Sequence, residues 1–258
     1  IIEISNQSPG AWIASNTSSS DKVGYDPWLH TADGVRRLKK ATVKTGAELV
    51  AVKRNTIDLI WINQPAKPLS PIKIHDIKFS GKTVREKVSN IARQLKKKNY
   101  GAVILSSPAS IAWLCNIRGG DVPYTPFALA FGILYANAKI EIFIDLRKVR
   151  PSIAAKLTED ILLSPISKFD VALGKLGDKS THVLIDPAVA SEAIHTKLEK
   201  AGAKLITGDD PCTLPKSCKN DVELDGIRAA HRRDGVALTR FLAWLSRNSL
   251  GCGETEMS

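Results

Sequence analysis

Two stretches of this chain run through the same order of apolar and polar positions. Val23-Gly24-Tyr25 is a short apolar strand stopped by Asp26-Pro27; a basic helix follows, then Lys44-Thr45-Gly46, then the apolar Leu49-Val50. His182-Val183-Leu184-Ile185, the turn Asp186-Pro187, a helix, Lys200-Ala201-Gly202 and Leu205-Ile206 repeat it, with Asp186 lying 160 positions beyond Asp26. Proline after aspartate halts a strand and suits the first turn of a helix. Glycine at the helix end accepts the left-handed cap. The pattern predicts two βαβ units and hence a duplicated α/β domain. The competing reading is that unrelated βαβ units share common punctuation.

Between the repeats the period changes from two to 3.6. Thr83-x-x-Glu86 is a capping-box signal. It opens a helix with Val84, Val88, Ile91 and Leu95 on one face. Ala102-Val103-Ile104-Leu105 then predicts a buried strand, and Phe127–Tyr135 and Lys139–Asp145 predict a hairpin around Ala136-Asn137-Ala138. Strands alternating with helices imply a mixed sheet covered by helices on both faces. Asn220-x-x-Glu223 can cap a long helix whose apolar side is Ile227, Ala230, Leu238, Phe241, Leu242 and Leu245. No strand follows it, so that side needs partners from elsewhere. The proline-rich Gln64–Pro71 reads as a stiff linker and Asp210–Pro215 as a second boundary.

Composition narrows the class. In 258 residues, 43% hydrophobic and 24% charged content is that of a globular protein. No apolar run approaches the roughly 18 residues of a membrane span, and no basic, apolar signal peptide opens the chain. The first residue is not methionine and the only methionine is Met257, so the chain is expected to be a piece of something larger. A formal charge of +11 raises nucleic acid as a partner. The cations fall in helical runs such as Arg36–Lys40 and Gln94–Lys98, without interleaved aromatics or a nucleic-acid motif, and read as solvated faces. Cys115, Cys212, Cys218 and Cys252 form no C-x-x-C, which favours reduced thiols and leaves zinc without a ligand set.

Candidate chemistry is sparse. The five histidines, His30, His75, His182, His195 and His231, are scattered and none belongs to an H-E-x-x-H. His231 and Asp234 stand one helical turn apart, which places a surface hydrogen bond within reach. Ser106-Ser107 precedes Pro108 and reads as a turn and cap rather than a nucleophile. There is no G-x-S-x-G, P-loop or G-x-G-x-x-G. Arg118 and Asp121 are the exception: one charged pair in the turn Asn116-Ile117-Arg118-Gly119-Gly120-Asp121-Val122-Pro123, just after the apolar Ile111–Cys115. Glycines there suggest backbone angles denied to other residues. The pair is read either as a structural bridge pinning the loop or as the wall of a cleft in a larger assembly.

Three segments, in order, resemble the cytosolic, three-domain aminopeptidase P family. Val23–His30 and Asn55-x-Ile57-Asp58-x-Ile60-Trp61 with Pro65 resemble the end of its first domain. Ser110–Val122 followed by Pro126 and Phe143-Ile144-Asp145 resembles its second. Lys219-Asn220-x-x-Glu223-x-x-Gly226-Ile227-Arg228, with His231, Asp234, Ala237 and Trp244, resembles the helix opening its third. The resemblance implies an α/β, creatinase N-terminal-like mixed sheet flanked by helices, with the domain duplicated. Residues 1–68 would be the end of the first domain, 72–211 the second, and 217–258 the opening helix of a truncated pita-bread catalytic domain. It further implies a cytoplasmic, homodimeric Xaa-Pro aminopeptidase acting on peptides with proline second. Two divalent metals, usually manganese, are held there by two aspartates, a histidine and two glutamates of the catalytic domain. None of those ligands can be assigned to a residue of this chain, so the piece would be scaffold, dimer contact and cleft gate, with Arg118 and Asp121 facing the cleft. A prolidase-type dipeptidase and a non-catalytic binding module of the same fold are the alternatives.

Overall fold

The computed structural model describes residues 3–157, 161–178 and 180–248. The chain opens with α1 (Pro9–Asn16), β1 (Lys22–Tyr25), α2 (Ala32–Thr45), β2 (Glu48–Ala51) and the short α3 (Thr56–Ile60). β3 (Lys73–Ile74), α4 (Ile77–Ser80), α5 (Val84–Lys97), β4 (Ala102–Leu105), α6 (Pro108–Leu114) and β5 (Ile117–Arg118) follow. β6 (Phe131–Tyr135), β7 (Ile140–Ile144), α7 (Pro151–Leu157), β8 (Ile161–Pro165) and α8 (Phe169–Asp178) lead to β9 (His182–Ile185), α9 (Glu192–Ala201) and β10 (Lys204–Thr207). α10 (Thr213–Ser217) and the long α11 (Asp221–Asn248) close the described chain.

Both βαβ units form where the sequence predicts them. β1 pairs parallel with β2 and β9 parallel with β10. Gly46 and Gly202 end the intervening helices at φ 78° and 93°, angles that an L side chain adopts only at a cost. The two units meet head to head through backbone bonds related by the same 160-residue step. Ala32 N donates to Ala190 O (3.1 Å) and Glu192 N to His30 O (2.8 Å); Asp33 N donates to Pro187 O (3.0 Å) and Ala193 N to Pro27 O (2.9 Å). The amides at the start of each helix, which have no intrahelical acceptor, thus take their acceptors from the other unit.

The main sheet has the order β10-β9-β4-β6-β7-β8, antiparallel at β4–β6 and β6–β7 and parallel elsewhere. It is mixed and covered on both faces. Along β4, Val103 and Leu105 join α5 and α6 residues such as Ile91 and Leu114 on one face, and Ala102 and Ile104 join α8 and α9 residues such as Phe169 and Leu198 on the other. Each such fully buried Val, Leu, Ile or Phe side chain stabilises the fold by about 1.5–3 kcal/mol. Thr83 and Glu86 make the predicted reciprocal cap of α5, and Ser107 caps α6 as its place before proline suggests.

Two details depart from the sequence reading, at the start of β6 and at His231. The strand expected from Phe127 begins only at Phe131, because Pro126 O and Phe127 O accept from Gly119 N and Asp121 N and Leu129 N donates to Asp121. The stretch is spent on the loop rather than on the sheet. At the expected boundary Asp210–Pro215, Asp210 and Cys212 are buried, with Cys212 in the main core, and Leu214 is exposed. His231 Nδ1 meets Ile227 O (3.1 Å) and Asp234 meets Arg233 (3.3 Å), so the expected His231–Asp234 contact is not made.

α8 and α9 pack closely enough that a Cβ on Gly177 would lie 2.2 Å from the Ala201 carbonyl oxygen, whereas a Cβ on Gly174 would meet nothing within 4 Å. Gly177→Ala is therefore expected to destabilise by about 1–3 kcal/mol through overpacking. Gly174→Ala, mid-helix, should be neutral or stabilise by up to about 1 kcal/mol. Urea denaturation of the two variants checks the contrast.

Candidate functional site

The Asn116–Pro123 turn is built by two buried lysines that its own sequence does not contain. Lys87, on the buried side of α5, donates to Asn116 Oδ1 (2.6 Å) and to Trp113 O, with its ammonium 4.7 Å from the Trp113 ring centroid. Asn116 in turn donates to Lys82 O (2.8 Å) and holds φ 49°, a left-handed angle that asparagine tolerates better than most residues. Two neutral acceptors and an aromatic face do not replace water around an ammonium, and burial lowers the Lys87 pKa to about 8. Beside it, burial pushes the Cys115 thiol up to about 12.

Lys148 holds the other end. Its ammonium lies 2.6 Å from Asp121 Oδ2, with both side chains almost wholly out of water. The same oxygen accepts from Leu129 N (2.7 Å), while Oδ1 has no hydrogen-bond partner. Lys148 O also accepts from Ile72 N, and Ser70 Oγ donates to Gly120 O, so the end of the proline-rich segment is clamped to the turn. Gly119 is needed for a close approach, because a Cβ there would sit 2.7 Å from Ala128 N; the left-handed angles fall instead on Asn116 and Tyr124.

Arg118 and Asp121 are thereby separated. Asp121 is buried with Lys148, and Arg118 donates to Ile117 O (2.9 Å) and Ala112 O (3.2 Å). The pin of the loop is an Asp121–Lys148 bridge; the Arg118–Asp121 bridge considered from sequence is not made. Arg118 lines a cavity of about 830 Å3 between α4, β5 and α11, together with His75, Phe79, Glu223 and Ile227. Burial lowers the Arg118 pKa, against the pull of Glu223, and burial with the nearby Arg118 and Lys87 charges lowers that of His75. Tyr124 stands fully exposed at the tip of the same loop.

Lys87 was within reach of sequence reasoning, since it lies three residues after Val84 and one before Val88 on the apolar side. Lys148, 27 positions from Asp121, carried no local signal. Among the described residues, no three His, Cys, Asp or Glu side chains converge on a point where a metal could sit. The donors among the described residues do not fit a dinuclear cage. No helix among them is long and apolar enough to cross a membrane.

A six-stranded mixed sheet covered by helices on both faces, with a clamped glycine loop beside it, defines an α/β domain. The chain belongs to the Creatinase/Prolidase N-terminal domain family, whose model matches residues 63–223. A probable Xaa-Pro aminopeptidase P of Aspergillus fumigatus is 34% identical over 242 residues, covering 91% of this chain and 37% of that protein. One of Penicillium rubens is 34% identical over 241 residues, covering 91% and 39%. The crystal structure of the X-prolyl aminopeptidase of Caenorhabditis elegans, a cytosolic enzyme with a di-nuclear active site, superposes with a TM-score of 0.85 at 26% identity. That match covers 93% of this chain and 40% of the worm protein. The chain thus spans well under half the length of these relatives. Its mixed α/β architecture is the creatinase N-terminal type that the sequence motifs implied.

Removing one member of a buried ion pair strands the other, at a cost of about 3–5 kcal/mol. Asp121→Asn and Lys148→Met should each lose that much in denaturant unfolding, and the double variant should lose clearly less than their sum. Lys87 supplies a pH test. Its folded pKa lies below its unfolded value, so the unfolded chain holds more protons between about pH 8 and 10.5, and the Lys87 contribution to stability rises with pH across that window. The stability of wild type relative to Lys87→Met should therefore increase from pH 7.5 to pH 10; a constant difference would contradict the burial of an unpaired ammonium.

Proposed function

We propose that this chain is the front, non-catalytic part of a metallo-aminopeptidase that releases the N-terminal residue of peptides with proline in second position. The observation that carries the reading is that one fold match runs through 93% of the chain in a single alignment. On this reading residues 1–68 are the end of a first creatinase-type domain, 72–211 a second, and 217–258 the opening helix of the catalytic domain. Two divalent ions, manganese on this reading, belong to the part of the enzyme that lies beyond the helix.

The exposure of α11 supports that assignment. No residue of the helix is buried, and Leu238, Phe241, Leu242 and Trp244 are each 44–58% exposed. An apolar face of that size is covered in a working protein. Its N-terminal end is already fixed: Asn220 and Glu223 cap each other, and Asn220 Nδ2 donates to Ser80 O (2.9 Å). The front part therefore sets where the catalytic domain starts. Arg118 forms the cleft-facing wall beside it, and Asp121 keeps the loop rigid from within. Dimer contacts and restriction of access to short peptide ends complete the scaffold role. A cytoplasmic setting agrees with the free thiols of Cys115, Cys212 and Cys218; Cys252 lies outside the described residues.

The test is to assay an Xaa-Pro peptide with added manganese, using the 258-residue chain and the full-length protein in parallel. The chain should release nothing above background and the full-length protein should release the first residue. Turnover by the chain alone would overturn the assignment, and an inert full-length protein would favour a binding module.

A further inference from the structure

The duplicated fold allows a comparison within one molecule. In each unit the first strand ends on an aspartate that accepts from the amide two residues on: Trp28 N to Asp26 Oδ1 and Ala188 N to Asp186 Oδ1. In each, the residue after the second strand donates back to the first, Val52 N to Tyr25 O and Gly208 N to Ile185 O. These bonds make Lys53 and Arg54 the structural counterparts of Asp209 and Asp210. In the second unit the crevice outside the strand ends is sealed: Asp210 N donates to Asp186 Oδ2, Cys212 N donates to Asp210, and Asp210 and Cys212 are buried. In the first unit Asn55 Nδ2 takes the place of that amide on Asp26 Oδ2, and the crevice stays open.

The open crevice is a cavity of about 720 Å3, floored by Tyr25 and Trp28 and lined by Lys53, Arg54, Lys197 and Lys200. Lys197 is neutralised by Asp170 and lies over the Trp28 ring. Lys53, Arg54 and Lys200 make no ion pair among the described residues. The wall also carries two carboxylates: Asp26 accepts from Trp28 N and Asn55 Nδ2, and the exposed Asp58 accepts from Gln64 Nε2 (2.9 Å), so the cations outnumber them. Where one unit carries two aspartates and is plugged, the other carries two cations and is hollow. Crevices outside the carboxyl ends of parallel strands are where α/β proteins take ligands, and a cavity of this size suits a small molecule.

We infer that the crevice between β1, β2 and α9 is a binding site for a small polyanion of the diphosphate type. Lys53 and Arg54 hold one end and Lys200, on the facing helix, the other. Ammonium and guanidinium groups on opposite walls suit a ligand with charge at two separated centres. The assignment is independent of the peptidase reading, because it uses only residues of the βαβ units.

Calorimetric titration of the full-length protein with inorganic pyrophosphate, at fixed ionic strength set with chloride, tests it. Wild type and a Lys96→Gln/Lys97→Gln control on α5 should bind alike. Lys53→Asp/Arg54→Asp, which copies the charges of the second unit, should weaken binding roughly tenfold or more. Lys200→Gln, a milder change on an exposed position, should weaken it several-fold with an unchanged circular dichroism spectrum. Glutarate separates phosphate from carboxylate recognition and should bind more weakly than pyrophosphate. No binding by wild type, equal binding by both crevice variants, or glutarate binding as tightly as pyrophosphate would each overturn the inference.

Discussion

Four backbone hydrogen bonds join the two βαβ units, and the rest of the architecture is arranged around them. The first unit has little core of its own: Ile13, Ala32, Val35, Ala41 and Ala47 are its buried apolar side chains. A two-stranded sheet with so little cover is marginal alone. It is held by presenting the unpaired amides at its helix start to carbonyls of the second unit and receiving the same in return. Because both partners carry the same Asp-Pro turn and helix start, one local geometry satisfies both sides.

The glycine loop rests on a second constraint, the burial of Lys87 and Lys148. Neither ammonium makes a surface bridge of the kind that contributes little. Lys148 binds Asp121 on the loop and, through its carbonyl, Ile72 at the end of the proline-rich segment, while Asp121 also accepts from Leu129 on the stretch before β6. Lys87 fixes Asn116 in a left-handed angle and thereby aims the chain from α6 into β5. Together they turn a glycine-containing turn into a rigid wall with Arg118 on its cleft side and Tyr124 at its tip.

What the sequence made legible was local. Asp26-Pro27 and Asp186-Pro187, Gly46 and Gly202, and Thr83 with Glu86 each encode their geometry within a few residues, and each element they predict is present. The two-residue β3–β5 ladder and the Asp121–Lys148 bridge depend on partners tens of residues away, and the diversion of residues 126–130 on loop partners that carry no periodic signal. The motif around Arg118 and Asp121 correctly marked a special loop, yet gave the wrong partner for Asp121, since adjacency in a turn says nothing about which side chain points inward. The aspartate-to-cation exchange at Lys53 and Arg54 was present in the aligned repeats, but its meaning needed the knowledge that one crevice is filled and the other is not.

The proposed function amounts to a division of labour, with scaffold in this chain and metal chemistry in the remainder of a longer protein. Metal analysis of exhaustively dialysed protein, after incubation with manganese, tests that division most directly. On the proposed function, about two bound ions are expected per full-length protomer, as in the di-nuclear worm enzyme, and no stoichiometric metal on the 258-residue chain. Stoichiometric metal retained by the chain alone would contradict it.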